Sequence, residues 1–417
     1  MMPGSLRIDP ARLVARIERL GGIGALEGGG VCRLALTPSE KLGRDHLVAE
    51  MTALGLDVTV DAIGNIFGTR KARREGPAVL LGSHIDTVAT GGLYDGALGV
   101  LAGLEVIATL NDAGVETELP IAVAAFTNEE GSRFAPDMLG SLVFVGGLHL
   151  QEALDIVSID GKRLGDELTA IGYAGTGHGP KEIAAYFELH IEQGPILEDE
   201  KIGIGTVMGV QGISWTEITL NGRSSHAGTT PIRLRRDAGL AAARIAAGVG
   251  AFVREMGGDQ VGTVGVLTLS PNLVNVVAQK AVMTVDLRNP DETLLKQAEA
   301  RLAALIETVT DEENVTFETR SLARFEPVDF APVLIDQVDE TARALCLSTR
   351  RLFSGAGHDA QMIARIAPAA MIFVPSVNGI SHNITEFTAA ADLANGANVL
   401  LQVTLKQALP TNGEETR

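Results

Sequence analysis

Basic residues, cysteines, aromatic side chains and long uncharged hydrophobic stretches are all scarce in this chain. Lys and Arg total 34 against 52 Asp and Glu, a formal net charge of −18 over 417 residues. A field of that sign repels nucleic acid and anionic membrane, so neither is expected as a partner. The one basic cluster, Arg70-Lys71-Ala72-Arg73-Arg74, lies between two strand-like runs and reads as a solvated turn. The two cysteines, Cys32 and Cys346, sit in unrelated contexts and give neither a disulfide framework nor a CxxC pair, as expected of reduced thiols in a cytoplasmic protein. Cys346, within Ala344-Leu345-Cys346-Leu347, reads as helix core. The N-terminus MMPGSLRIDPARL has no apolar stretch after its charge, and the long apolar helices carry internal charges such as Glu105 and Arg244. Neither a signal peptide nor a membrane span is expected. A G-x-S-x-G nucleophile elbow, a Walker sequence and a dinucleotide fingerprint are also missing, and the glycines at 91, 92, 96 and 99 do not supply the last of these.

What is present is an ordinary globular composition, 46% hydrophobic and 21% charged, in a chain long enough for two or three folding units. Up to about residue 211, strand-like and helix-like segments alternate. Residues 9–21 and 39–54 read as amphipathic helices, the second opening on the capping-box-like Thr37-Pro38-Ser39-Glu40, and 57–62, 66–69, 79–82 and 121–127 read as strands around a helix at 97–113. Near-continuous apolar strands alternating with helices indicate a largely parallel or mixed sheet covered on both faces. From 213 to 319 the order becomes β-α-β-β-α-β, the ferredoxin-like plan: strands at 213–220, 262–268, 281–288 and 314–319, helices at 236–255 and 291–309. The α/β pattern then resumes, with helices near 331–346, 358–366 and 389–407 and a strand at 371–374. The expected architecture is a discontinuous catalytic domain, 1–211 with 327–417, interrupted by a smaller α+β domain over 212–326.

Ligands in open α/β sheets gather at the carboxyl ends of strands. Four apolar runs here lead into polar groups: VLLGS into His84 and Asp86, IAVAAFTN into Glu129-Glu130, AAYFEL into His190, and MIFVPSVNGIS into His382. Asp95 adds a carboxylate in the Gly-rich loop before a helix. Each has a bland reading by itself, as a structural histidine, an N-cap or a solvated loop. Together they form a mixed imidazole and carboxylate set that suits borderline divalent ions, with one carboxylate able to bridge a pair. Two ions about 3.5–4 Å apart share a water, lower its pKa and polarise a carbonyl. Of two adjacent glutamates, one can ligate while the other serves as general base and acid.

The stretches "GSHIDTVATGGLYDGALGVLAGLEV", "FTNEEGSRF", "ELHIEQGPILE", "GRSSHAGTTPIRLRRDA", "NLVNVV", "DLR", "SGAGHDAQ" and "NGISHN" resemble, in order from about residue 30 to 405, the dimetal amidohydrolases of the M20 peptidase superfamily in the hydantoinase/carbamoylase branch. That resemblance implies two divalent ions per subunit, zinc as the leading expectation, with manganese, cobalt or nickel as alternatives. It implies His84 and His190 on one ion, Glu130 and His382 on the other, Asp95 bridging, Glu129 as general base and Asp86 orienting His84. The inserted domain would be a lid and dimerisation domain, making the protein a homodimer. From it, His226 would steady the developing oxyanion, in its own or the partner's site, while Asn275 and Arg288 would grip a substrate carboxylate. Gln193 would contact the ureido end. Structural roles for this last group, an ion pair for Arg288 and turns for His226 and Asn275, stay open at this point, as does the role of His358-Asp359. His46, His149 and His178 have no chemical company and read as structural.

The implied activity is hydrolysis of a small ureido acid, an N-carbamoyl-L-amino acid, by a dimetal-activated water to the free amino acid, carbon dioxide and ammonia. Allantoate amidohydrolase and then β-ureidopropionase are the alternatives. A metallo-aminopeptidase or dipeptidase is disfavoured by His190, where the related aminopeptidases carry a carboxylate. A non-catalytic ureido-acid-binding protein is disfavoured by the complete ligand set.

Overall fold

The structure, a computed structural model, describes residues 5–409. Residues 1–4 and 410–417, which the expected outer domain includes, lie outside the described residues. The chain forms two compact units, one up to Met208 and again from Asp329, the other Gly209–Val328.

The first unit is built on a nine-stranded mixed sheet in the order β1-β2-β4-β3-β5-β15-β6-β13, with β14 also pairing β6. Its strands are β1 (Asp57–Val60), β2 (Ile66–Arg70), β3 (Ala78–His84), β4 (Ile121–Phe126), β5 (Ile183–Ile191), β6 (Ile204–Val210), β13 (Val328–Asp329), β14 (Thr349–Ser354) and β15 (Ala369–Val374). The four central strands β4, β3, β5 and β15 are mutually parallel. Every residue of β3, β4 and β15 is buried, as a sheet covered on both faces requires.

Helices cover this sheet. α1 (Pro10–Gly21) starts on Asp9, whose carboxylate accepts the amides of Ala11 and Arg12, with Pro10 pre-set for the first turn. α2 (Pro38–Ala53) is capped by Thr37 through the Glu40 amide. The box is not reciprocal, because the Glu40 carboxylate turns to the Leu36 amide and to Arg44. α3 (Ala97–Asp112) is buried from Ala97 to Leu110 and so reads as apolar all round. Short helices at Leu139–Phe144, Leu150–Leu154 and Leu164–Ala170, and the strands β6 and β14, have no counterpart among the expected elements. The helix expected over 331–346 ends at Ala344, and Cys346 is an exposed residue with φ +61. The core reading of Cys346 is therefore corrected: the chain turns left-handed there and carries the thiol outward.

In the second unit, β7 (Gly212–Asn221), β9 (Val261–Ser270), β11 (Lys280–Asn289) and β12 (Thr316–Phe325) form an antiparallel sheet in the order β12-β7-β11-β9. Alternation sets its faces: Ala281, Met283, Val285 and Leu287 of β11 point into a core with Ile245, Val249, Leu302 and Ile306 from the helices Ala238–Met256 and Glu292–Glu313. A two-stranded ribbon, β8 (Ser225–His226) with β10 (Val276–Val277), extends from the end of the sheet where Asn221 faces Lys280. Among the described residues no helix is long and apolar enough to cross a membrane.

Candidate metal centre

Parallel pairing brings the expected ligands to one edge. His84 ends β3, Glu129 and Glu130 come just after β4, His190 lies near the end of β5 and His382 is beyond β15. The side chains meet in the first unit. His190 Nε2 lies 3.2 Å and His84 Nε2 3.7 Å from Asp95 Oδ1, while His382 Nε2 is 3.4 Å from Asp95 Oδ2 and 3.3 Å from Glu130 Oε2. Two donor groups result, His84-Asp95-His190 and Asp95-Glu130-His382, and they share Asp95. Glu129 belongs to neither; its Oε2 sits 3.2 Å from His84 Nε2.

Tautomers show what this arrangement is suited to hold. His84 Nδ1 faces the Asp86 carbonyl at 3.0 Å and His190 Nδ1 faces the Ile191 carbonyl at 2.8 Å. A carbonyl only accepts, so both protons sit on Nδ1 and both Nε2 lone pairs point at carboxylate oxygens. The Gly96 amide also donates to His190 Nε2 at 3.2 Å, which a protonated Nε2 could not accept. Lone pairs converging from neutral imidazoles and carboxylates fit a divalent ion. Without one, a proton must fill the gap. His190 is then raised to about 9, burial being outweighed by its hydrogen bond to and the charge of Asp95, while His84, dominated by burial, falls to about 4.

Charge gives the same result. Asp95, Glu129, Glu130 and Asp137 line a cavity of about 110 Å³ together with His190, Gln193, His358 and His382, and no Lys or Arg is among its lining residues. Glu129 is pushed well up by burial, then by the charges of Asp359 and Glu130; Glu130 is pushed up by burial and by Asp95. A cluster so rich in buried carboxylates is costly until cations enter it. A third donor group, Glu188-His190-His358, is already committed. Glu188 accepts from Ser83 Oγ at 2.6 Å, Tyr186 OH at 3.0 Å and the Ala360 amide at 2.9 Å, and His358 Nε2 is bonded to Ser354 Oγ at 2.8 Å.

Asp86 contacts His84 through its backbone carbonyl rather than its carboxylate. Its carboxylate is 3.8 Å from His84 Nδ1, which its own carbonyl occupies, and it instead accepts the amides of Glu129 at 3.2 Å and Glu130 at 3.3 Å. Burial raises it to about 6. Asp86 thus aims the histidine with its backbone and the two glutamates with its side chain. Gln193 donates from Nε2 to Asp95 Oδ2 at 2.8 Å, and its buried Oε1 has no partner. Asn128, Gln193 and His382 are non-glycine residues with φ of +54 to +58, a left-handed backbone state uncommon outside glycine.

Gly96, at φ +63, has no room for a side chain: a Cβ there would overlap the His84 ring. Gly96→Ala is expected to weaken divalent-ion binding about 10- to 100-fold, the usual effect of disturbing a ligand's support. Calorimetric titration of the metal-free protein measures it, and unchanged affinity would mean that the loop yields without moving His84.

Sequence reasoning missed Glu386 and Ser381. Glu386, buried, accepts the amides of Tyr94 at 3.1 Å and Asp95 at 3.2 Å and lies 3.0 Å from the Ser381 hydroxyl. Burial and the nearby Asp95 raise it to about 7. The only sequence signal was its place four residues after His382. Asp359, whose role the sequence leaves open, is fully buried with Oδ1 on Ser141 Oγ at 2.6 Å, and burial and Glu188 hold it well above the carboxylate range.

The second unit carries the remaining expected residues. His226 and Asn275 are neighbours on the ribbon, the Ala227 amide donating to the Asn275 carbonyl at 3.0 Å. His226 Nδ1 accepts the amides of Gly228 at 3.0 Å and Thr229 at 3.2 Å, which leaves its proton on Nε2 as a donor. Arg288 lies at the other end of β11, paired with Asp286 at 2.9 Å and 5.9 Å from the Trp215 ring centre.

The model of peptidase family M20/M25/M40 matches residues 80–406. The chain belongs to this family. Within the M20 group it is 42% identical over 404 residues to the N-carbamoyl-L-amino-acid amidohydrolase of Rhizobium meliloti, covering 96% of this chain and 97% of that one. It is 36% identical over 387 residues to the allantoate amidohydrolase of Escherichia coli, covering 91% and 94%. The crystal structure of an amidase of the hydantoinase/carbamoylase family from Burkholderia multivorans superposes with a TM-score of 0.95 at 44% identity, covering 97% of this chain and 99% of that one.

Proposed function

We propose that this M20 chain hydrolyses the ureido C–N bond of N-carbamoyl-L-amino acids, one water converting each substrate to the free amino acid, carbon dioxide and ammonia. The observation that carries this reading is the pair of donor groups sharing Asp95, with Glu129 free beside them. Full-length similarity to amidohydrolases acting on such acids supports it. His84 and His190 would hold one divalent ion, Glu130 and His382 a second, and Asp95 both. Zinc, manganese, cobalt and nickel all suit that donor set. Ions bound there supply a water of lowered pKa and a polarised carbonyl.

The protein's own residues do the rest. Glu129 takes the proton as water adds to the ureido carbon and passes it to the departing nitrogen. Gln193, its Oε1 unpartnered, accepts from the ureido NH2. His226, a donor at Nε2, would supply a hydrogen bond to the oxygen where negative charge develops. Arg288 and Asn275 bind the carboxylate, Arg288 through its planar fork.

On this reading these last three would reach one substrate from two chains. Arg288 is eight residues along β11 from Lys280, beside which the ribbon of His226 and Asn275 emerges, roughly 26 Å at ~3.3 Å per residue. A carbamoyl amino acid spans five bonds from ureido nitrogen to carboxylate oxygen, under about 7 Å. The reading therefore includes a homodimer. The edge strand β9, VGTVGVLTLS, has no charge and no proline, and Val261, Val266, Leu267 and Leu269 are exposed along it. Uncovered apolar edges of this kind pair with another strand. Antiparallel pairing of β9 with itself about a twofold axis carries each ribbon to the partner's Arg288 end, since Val261 lies opposite Arg288 and Ser270 opposite Lys280.

An ammonia-release panel tests the function: N-carbamoyl-L-amino acids, their D forms, allantoate and N-carbamoyl-β-alanine, each with zinc, manganese, cobalt or nickel. Highest kcat/KM on an N-carbamoyl-L-amino acid is expected. Preference for allantoate would move the assignment to the second reading, which the Escherichia coli relative favours, and no ammonia from any ureido acid would end it.

A further inference from the structure

We infer that Glu386 and Ser381 form a positioning latch for Asp95, Glu386 fixing its backbone and Ser381 its carboxylate. The inference rests on the metal-binding reading of Asp95 proposed above.

Asp95 has the most exacting task in that reading, since both donor groups depend on it, yet it lies in an irregular loop between β3 and α3. No ladder hydrogen bonds hold it. Glu386, far away in sequence, reaches into this loop with one oxygen, Oε1, and takes the amides of Tyr94 and Asp95. The single proton of the Ser381 hydroxyl goes to Asp95 Oδ2 at 2.8 Å, the shorter contact, and the other Glu386 oxygen lies 3.0 Å from the same hydroxyl. Main chain and side chain of Asp95 are thus gripped by one short segment, 381–386, that also carries His382. The Tyr94 and Phe387 rings close the same junction edge to face, 6.1 Å between centres.

The loop is shaped to admit this carboxylate. A Cβ at Gly92 would overlap the Glu386 carboxylate and its Cβ, so glycine there makes room for the reach. Placing a buried acid beside Asp95 opposes folding. All its side-chain partners lie in the Asp95 loop or in Ser381, so the arrangement serves the geometry of the site rather than the core.

Cobalt titration followed by calorimetry and visible absorption tests the latch on the full-length protein. Wild type is expected to take up two ions. Glu386→Ala is expected to bind them about 10- to 100-fold more weakly, with a changed cobalt spectrum. Glu386→Gln, whose amide oxygen still accepts both backbone amides, is expected to bind close to wild type, and that rescue separates positioning from general loss of packing. Ser381→Ala is expected to alter the cobalt spectrum while the fold is kept. If wild type binds two ions and Glu386→Ala binds them equally tightly with the same spectrum, the latch is overturned and the metal reading stands. If wild type binds none, the metal reading fails and the latch with it. Should Glu386→Ala not fold, Gly92→Ala crowds the same carboxylate from the other side, with the same weakening expected and the same null result overturning the latch.

Discussion

Glu129→Gln is expected to lower kcat by about a hundred- to ten-thousand-fold, the range of a lost general base, while the protein keeps its metal. Glutamine preserves the shape of the side chain and can still accept a hydrogen bond, but it cannot take a proton from water and return it to a leaving nitrogen. Metal retention is expected from the geometry: Glu129 stands outside both donor groups, and its backbone is held by Asp86 through an amide that the substitution does not touch. Ammonia release measured beside metal content checks both halves. Near-normal turnover would remove Glu129 as the base; loss of metal would make it a ligand instead.

Two inactive variants are expected to restore each other. Arg288→Ala and His226→Ala homodimers each lack one of the groups that must meet on the substrate, so each alone should turn over poorly. In the proposed dimer the ribbon and the Arg288 end of β11 that would serve one substrate come from different chains, so a hybrid would have one site with both mutations and one with none. Random exchange makes half of the dimers hybrids with one sound site in two, so the mixture should recover about a quarter of wild-type activity. Mixing after denaturation and refolding, with kcat/KM as the readout, gives the result. If activity stays at the level of the separate variants, His226 and Arg288 act from the same chain or neither acts on substrate. A protein that is fully active as a monomer would contradict the scheme in the same way.

The parts of the site that were legible in the sequence were those built by strand periodicity. The runs ending at His84, Glu129-Glu130 and His190 are near-continuous apolar strands, and a chain that buries such strands in parallel must deliver the residues at their carboxyl ends to one edge. His382 is less direct: it lies eight residues beyond Val374, in a turn with positive φ, and only the order of motifs along the chain points to it. Glu386 and Ser381 were invisible because they act on backbone amides and on another side chain, and no residue pattern encodes such partners. The role of the Asp86 carboxylate was hidden for a similar reason. The resemblance implied His84 as its partner, a contact made by the Asp86 backbone carbonyl, whereas the fold brings the amides after β4 to the carboxylate. The alternation of β11 announced the inner face of the second unit's sheet, but the short helices between residues 139 and 170, five to seven residues each, carry too few periods to be read.

The donors run from His84 to His382, on two strands and three loops that become neighbours only when the sheet is assembled. A chain still being synthesised has the first histidine long before the last, and no fragment of it owns a complete pair of donor groups. A site for two ions sharing Asp95 therefore exists only once His382 has been made and folded back beside that carboxylate. Because this donor set suits several divalent ions, a change in their supply would be expected to change which element is bound without any change in the sequence.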